Sequence, residues 1–118
     1  MISTKRRLWR SLGFPERPTT QQWLPNGKRL DLIAPGVVAD VKRRVYRNDG
    51  PAQIEGYVKE LERTRPNDGP WRALLIQNVP TLNTAARERI EGSDIQIEAW
   101  TVLPGRGRWS GWRVEQLL

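Results

Sequence analysis

Three residues of this chain, Asp31, Asp40 and Lys42, have the types and the spacing that phosphate chemistry needs. Asp40 and Lys42 lie two apart in the strand-like run Val37–Lys42, and alternate side chains of a strand share a face. The intervening apolar side chains of this run would point into a core. We expect Asp40 and Lys42 to point together toward solvent or substrate.

A hairpin would bring Asp31 to the same place. The run Arg29–Ala34 predicts a preceding strand, and the proline and glycine that follow it predict a tight turn. Asp31 would then approach Asp40 across the hairpin, in a register that the sequence leaves open. Two neighbouring carboxylates repel each other and favour a bound Mg²⁺ or Mn²⁺. Lys42 would orient or deprotonate a water molecule and offset phosphate charge, so the pattern predicts a metal-dependent nuclease site.

The composition narrows the chemistry further. The chain contains no His and no Cys, which removes imidazole or thiolate zinc sites, Ser-His-Asp triads and Cys-His nucleophiles. Carboxylate-metal, lysine or tyrosine chemistry remains. The absence of Cys also suits a reducing compartment, and no apolar run is long enough for a signal peptide or a membrane span. We expect a soluble cytoplasmic protein with no membrane partner.

The charge balance indicates a polyanionic partner. The 118 residues and the 37% hydrophobic content indicate one domain with a modest core, and the formal net charge is +7. Residues 1–26 are predicted to form a basic helix or arm. There and at the hairpin entry, Arg6, Arg7, Arg10 and Lys28 would hold a nucleic-acid backbone near the site. The alternative is a solvated terminus with no binding role.

The segment after the hairpin predicts an amphipathic helix. Residues 48–51 indicate a helix start with a capping side chain and an early proline, and the apolar stripe runs to a stop near Arg65. Gln53 and Tyr57 lie four apart on one face of this helix, so both could reach the same end of the neighbouring sheet. Tyr57 also lies on the apolar stripe, which suits a core aromatic equally well.

The remaining elements complete an α/β domain. The apolar run 73–76 predicts a central buried strand, Thr81 or Asn83 would cap a helix that Gly92 ends, and residues 95–100 alternate like a half-buried strand. This order predicts a mixed central sheet in which an antiparallel hairpin feeds parallel crossovers. The core would span residues 27–103.

The carboxy-terminal segment 104–118 is a second candidate for nucleic-acid binding. Arg106, Arg108 and Trp109 lie in a flexible, glycine-containing stretch, and tryptophan beside arginine offers a stacking platform for unpaired bases. The alternative is that Trp109 and Trp112 clamp the segment onto the sheet. The last residues predict a strand or a helical turn that docks on the sheet or on a partner.

Three motifs, in order, resemble the PD-(D/E)xK nuclease superfamily. They are GKRLDLI at 27–33, DVKRR at 40–44 and QIEGY at 53–57, the last of which is similar to the QxxxY motif of RecB-like members. The likeness covers residues 27–100 and is closest to the catalytic domain of NucS-type DNA endonucleases. It implies a restriction-endonuclease-like core and a DNA substrate, with RNA as an open alternative.

The resemblance also implies a role for each motif residue. Asp31, Asp40 and the carbonyl of Val41 would be ligands of Mg²⁺ or Mn²⁺, and Lys42 would position the water molecule. The QxxxY residues Gln53 and Tyr57 would support the DNA strand and Lys42. We also predict nucleic-acid contacts for the two basic residues that follow Lys42, Arg43 and Arg44.

The chain departs from the family pattern in two places. Leu30 replaces the proline that names the motif, and the usual Glu from a preceding helix is missing, since Glu16 is the sole acidic residue before Asp31. The metal site is then incomplete, completed by a second chain, or inactive. The sequence leaves open a nuclease that works alone, as a homodimer or with a partner subunit. It also leaves open a nuclease-like fold reduced to nucleic-acid binding, and an assembly module of a larger phage, mobile-element or defence protein.

Overall fold

The β-hairpin that carries the candidate site belongs to a mixed sheet flanked by two helices. A computed structural model describes residues 12, 19–23, 29–104 and 112–118. The described residues form six strands in the spatial order β1-β2-β3-β4-β5-β6, two α-helices and one short 3-10 helix. The elements are β1 Thr19–Trp23, β2 Arg29–Ala34, β3 Val37–Lys42, α1 Pro51–Thr64, the 3-10 helix Pro66–Asp68, β4 Arg72–Gln77, α2 Thr84–Glu91, β5 Ile97–Pro104 and β6 Trp112–Gln116.

The predicted hairpin is confirmed with both strands at their predicted bounds. Gly36 has a φ of 78° in the turn, a conformation that costs glycine little. The antiparallel register pairs Leu32 with Ala39 and Ile33 with Val38. One step farther along the same register, Asp31 lies across from Asp40, and residues directly opposite each other share a face. The turn therefore decides the register that the sequence left open.

The central part of the sheet is parallel. Strand β3 pairs in parallel with β4, and β4 pairs in parallel with β5, through crossovers that contain α1 and α2. Both crossovers step in the same direction across the sheet, so crossovers of the same hand place both helices on the same face. The predicted α/β class and the mixed sheet, with its antiparallel hairpin and parallel crossovers, are confirmed.

Two apolar clusters hold the sheet from its two faces. The helix-side cluster contains the buried stripe of α1, namely Ile54, Tyr57, Val58 and Leu61, together with inward residues of the central strands. The opposite-face cluster contains Leu32, Ala34, Val37, Ala39, Leu74, Ile76 and Val102. The central strands β3 and β4 are therefore buried on both faces, as parallel strands usually are.

The starts of α2, α1 and β5 agree only in part with the sequence predictions. Asn83, one of the two predicted cap residues, caps α2, because its side chain accepts a hydrogen bond from the Ala86 N–H at 3.2 Å. The start of α1 differs, since Gly50 is the cap residue and supplies no side-chain hydrogen bond. Strand β5 begins at Ile97 rather than residue 95, because the Ile95 N–H donates to Ser93 Oγ instead of joining a ladder.

Strands β1 and β6 form the two edges of the described sheet. Thr19–Trp23 forms strand β1, inside the range 1–26 that we predicted as a helix or arm, because it pairs with β2 and needs no apolar face of its own. Near the carboxy terminus, Trp112–Gln116 forms strand β6, so the predicted strand is present rather than the helical turn. The division of the chain at residues 26 and 103 stays a prediction. Neither described helix is long and apolar enough to cross a membrane.

Candidate functional site

The site is built where β2 and β3 stop pairing with each other. The carboxylate of Asp31 accepts a hydrogen bond from the backbone N–H of Val41, with 2.8 Å between Oδ2 and N. The side chain thus takes the place of the next backbone partner in the ladder. This bond fixes the Asp31 carboxylate beside the segment that carries Asp40 and Lys42, as the hairpin predicted.

The burial of Asp40 differs from our expectation. Its residue is only 4% exposed, whereas we predicted a side chain that faces solvent or substrate. Asp40 and Lys42 do share a face, together with Val38, but Val38 belongs to the helix-side cluster under α1. Strand alternation identified the shared face correctly. It could not show that this face is covered as well as the opposite one.

Burial makes Asp40 an unusual carboxyl group. Desolvation, followed by the neighbouring Asp31 carboxylate, raises the pKa of Asp40 to about 7, although the positive charge of Lys42 opposes this shift. The Oδ2 atom of Asp40 is buried and accepts no hydrogen bond. Burial of a carboxylate oxygen is costly; the Lys42 ammonium, 3.6 Å away, offsets part of that cost, and a bound metal ion would relieve more of it.

Lys42 lies between two carboxylates. Its Nζ is 3.6 Å from Asp40 Oδ2 and 3.2 Å from Asp49 Oδ1, and its side chain is 21% exposed. Burial alone would lower the pKa of Lys42, but the negative charges of Asp40 and Asp49 outweigh it and leave the pKa raised. Lys42 is therefore an ammonium ion at neutral pH.

The donor set suits a hard divalent cation bound with open positions. Within an extended strand, the N–H and C=O of one residue point to the same side, so the Val41 carbonyl faces β2 as its N–H does. Asp31, Asp40 and this carbonyl would supply oxygen ligands, and Mg²⁺ commonly takes one or two carboxylates with water and phosphate as the others. No group of three or more acidic side chains that could hold a metal converges anywhere in the described ranges.

Gln53 and Tyr57 lie on the helix that covers this face. Gln53 is exposed on the first turn of α1. Tyr57 is 6% exposed and belongs to the helix-side cluster, the position of a core aromatic. The described contacts bring Asp31, Asp40 and Lys42 together, while the support that Gln53 and Tyr57 would give to DNA stays a prediction.

Sequence reasoning missed two residues near the site. Asp49, predicted as part of a helix cap, instead pairs with Lys42. Gln77 is 1% exposed, and its side chain accepts from the Val45 N–H at 2.9 Å and donates to the carbonyls of Val79 and Thr81. The one available signal was an amide at the end of the buried apolar run of β4.

The predicted nucleic-acid contacts divide into two groups. Arg43 and Arg44 are exposed directly after β3, beside Lys42. The other predicted contacts lie outside the described residues, and they are Arg6, Arg7, Arg10, Lys28, Arg106, Arg108 and Trp109.

Comparison with models of known protein families finds no family that matches this chain. Searches among characterised proteins and among solved structures find no match either.

Proposed function

We propose that this protein is a metal-dependent DNA endonuclease whose site is formed by Asp31, Asp40 and Lys42. The observation that carries the proposal is the buried Oδ2 atom of Asp40, which accepts no hydrogen bond and adjoins both Asp31 and the Lys42 ammonium. Burial makes the ionised form of Asp40 costly, even with the Lys42 ammonium 3.6 Å away. Polar groups held in an unfavourable state commonly mark functional sites.

The topology supports a restriction-endonuclease-like core, which we propose as the fold of this domain. The antiparallel hairpin β2–β3 carries the candidate ligands, α1 crosses over, and β4 returns parallel to β3. This is the arrangement that the resemblance to PD-(D/E)xK nucleases implies. The basic surface that the sequence predicts, with a net charge of +7, suits a DNA backbone as the substrate.

The residues would divide the work in a specific way. Asp31, Asp40 and the Val41 carbonyl would hold Mg²⁺ or Mn²⁺, and the bound ion would supply Lewis acidity and a more acidic water molecule. The raised pKa of Lys42 keeps it protonated, so it would orient the water molecule and offset charge on the phosphate rather than accept a proton. Asp49 would hold the Lys42 ammonium in place.

A second candidate is a nuclease-like fold that binds nucleic acid without cutting it. The observation in its favour is that no group of three acidic side chains able to hold a metal occurs among the described residues. A homodimer or a partner subunit that contributes a further carboxylate would restore the first candidate.

Cleavage and binding assays separate these candidates. Labelled single-stranded, duplex, mismatched and branched DNA, and RNA, are incubated with the protein in Mg²⁺, Mn²⁺ or EDTA. We expect metal-dependent cutting that Asp31→Asn and Lys42→Ala abolish, with folding checked by circular dichroism. Asp94→Asn and Lys59→Ala are matched controls, because these two exposed residues pair with each other, whereas Lys42 pairs with Asp40 and Asp49. If the protein binds these nucleic acids but cuts none of them in Mg²⁺ or Mn²⁺, the second candidate is favoured.

A further inference from the structure

The loop of residues 43–50, called here the β3–α1 loop, presents an aromatic ring among arginines. It begins directly after Lys42 and ends at α1. Tyr46 is 50% exposed, and it is the one large hydrophobic side chain exposed among the described residues. Arg43, Arg44 and Arg47 are exposed on the same loop. An exposed aromatic next to three cations is a combination that indicates binding rather than folding.

The exposure of Tyr46 is imposed by a well-anchored backbone. Val45, its neighbour, is fully buried and donates its N–H to Gln77 Oε1 at 2.9 Å. The backbone groups of Tyr46 and Asp49 exchange two hydrogen bonds of 3.2 Å, which close the turn. With Val45 directed inward and the turn closed, the Tyr46 ring is held on the surface.

The β3–α1 loop is also tied directly to the candidate site. Asp49, which closes the turn with Tyr46, forms the 3.2 Å ion pair with the Lys42 ammonium. The loop and the site thus lie at the same end of β3. A strand that reached the site would pass close to this loop.

The charges of the loop select the partner. Within the described part of the chain, no carboxylate lies within ion-pair distance of Arg43, Arg44 or Arg47. These arginines suit phosphates, and an aromatic ring suits the face of a base. In a duplex the base faces are already stacked, so an exposed ring gains most from an unpaired strand. A run of acidic side chains, such as polyglutamate, would satisfy the arginines but has no ring or base face to stack on Tyr46.

We propose that the β3–α1 loop binds single-stranded nucleic acid, with an unpaired base stacked on Tyr46 and phosphates on Arg43, Arg44 and Arg47. This inference rests on the proposed function, because it names the form of substrate that reaches Asp31, Asp40 and Lys42. The substrate class is DNA with an unpaired segment.

The test is binding in EDTA, where no cutting occurs. Fluorescence anisotropy compares a labelled single strand, the same strand with abasic positions, and its duplex. Wild-type protein should bind the intact strand roughly 5- to 100-fold more tightly than the abasic strand. Tyr46→Ala should lose that preference while its affinity for the abasic strand is unchanged, and Tyr46→Phe should retain the preference because it keeps the ring.

Phosphate binding by the loop arginines is tested separately. Arg47→Ala should weaken binding to the intact and abasic strands equally and reduce the slope of log affinity against log salt by about one. Lys59→Ala is the control, because it removes one positive charge from the exposed surface of α1. It should leave the ratio of the affinities for the intact and abasic strands unchanged. Equal affinity of wild-type protein for intact and abasic strands would overturn the proposal, and that arm requires no variant.

Other outcomes are equally decisive. Binding of polyglutamate with the same dependence on Tyr46 would reassign the loop to an acidic protein. Metal-dependent cutting with Tyr46→Ala behaving as wild type would refute the loop inference and leave the nuclease proposal intact. The Tyr46 pattern without any cutting would refute the nuclease proposal and leave the loop as a single-strand binding surface.

Discussion

Replacing Asp40 by Asn should stabilise the protein, by an amount that grows with pH. In metal-free buffer the folded protein must ionise a buried carboxyl whose pKa is raised to about 7 from an ordinary 3.8. The sign follows from proton linkage. Below pH 3.8 the carboxyl is protonated in both states and costs nothing. Between 3.8 and 7 the folded state binds more protons than the unfolded state, so stability falls as pH rises.

The cost of ionising Asp40 in the folded protein depends on the same two pKa values. The ionisation cost is about 2 kcal/mol at pH 5 and about 4 kcal/mol at pH 8, as an upper estimate. Asn cannot ionise, and its amide can donate a hydrogen bond to Asp31. Lys42 loses one partner in the variant, and this loss is already included in the cost, because the opposing charge of Lys42 is one of the causes that set the pKa of Asp40.

Urea denaturation in EDTA at pH 5 and pH 8 measures the effect. The free energy of unfolding of Asp40→Asn, relative to wild type, should increase by about 2 to 3 kcal/mol between the two pH values. Asp94→Asn is the matched control, since the Asp94 side chain is 68% exposed, and its difference from wild type should stay constant. A pH-independent difference for Asp40→Asn, or one that shrinks toward pH 8, would refute the buried-carboxyl reasoning.

Three further variants test the surroundings of the site by urea denaturation. Lys42→Met removes the cation nearest the buried Asp40, so it should destabilise the protein more at pH 8 than at pH 5, and an equal loss at both would contradict the ion pair. Gln77→Leu deprives the buried Val45 N–H of its acceptor and should cost about 2 to 4 kcal/mol; a change near zero would show that this bond is dispensable. Gly50→Ala should cost about 1 to 3 kcal/mol through its φ of 118°, whereas a neutral effect would mean that the helix start relaxes.

Local patterns were enough to predict most of the sheet and both helices. Strands β2, β3 and β4 and the apolar stripe of α1 are each visible as a local pattern of apolar residues, and each element lies within a residue of its predicted bounds. Strand β1 was not predictable in this way. Its sequence, TTQQW, has no alternating apolar face, and it becomes a strand by pairing with β2.

The candidate site was predictable in its membership but not in its environment. A two-residue spacing places Asp40 and Lys42 on one face of β3, and the hairpin register brings Asp31 to them. The burial of Asp40 arises when α1 packs across that face, a tertiary contact that no local pattern contains. The same holds for Asp49, which meets Lys42 through the fold of the loop rather than through spacing.

The most direct test of the nuclease account is cleavage by Asp40→Asn at pH 8 with Mg²⁺ or Mn²⁺, on the substrate that wild-type protein cuts best. This variant is expected to be more stable than metal-free wild type, so a loss of activity would not reflect unfolding. The account predicts metal-dependent cutting by wild type and by Asp94→Asn, and none by Asp40→Asn. Cutting by Asp40→Asn at the wild-type rate, or cutting by wild type that continues in EDTA, would contradict it.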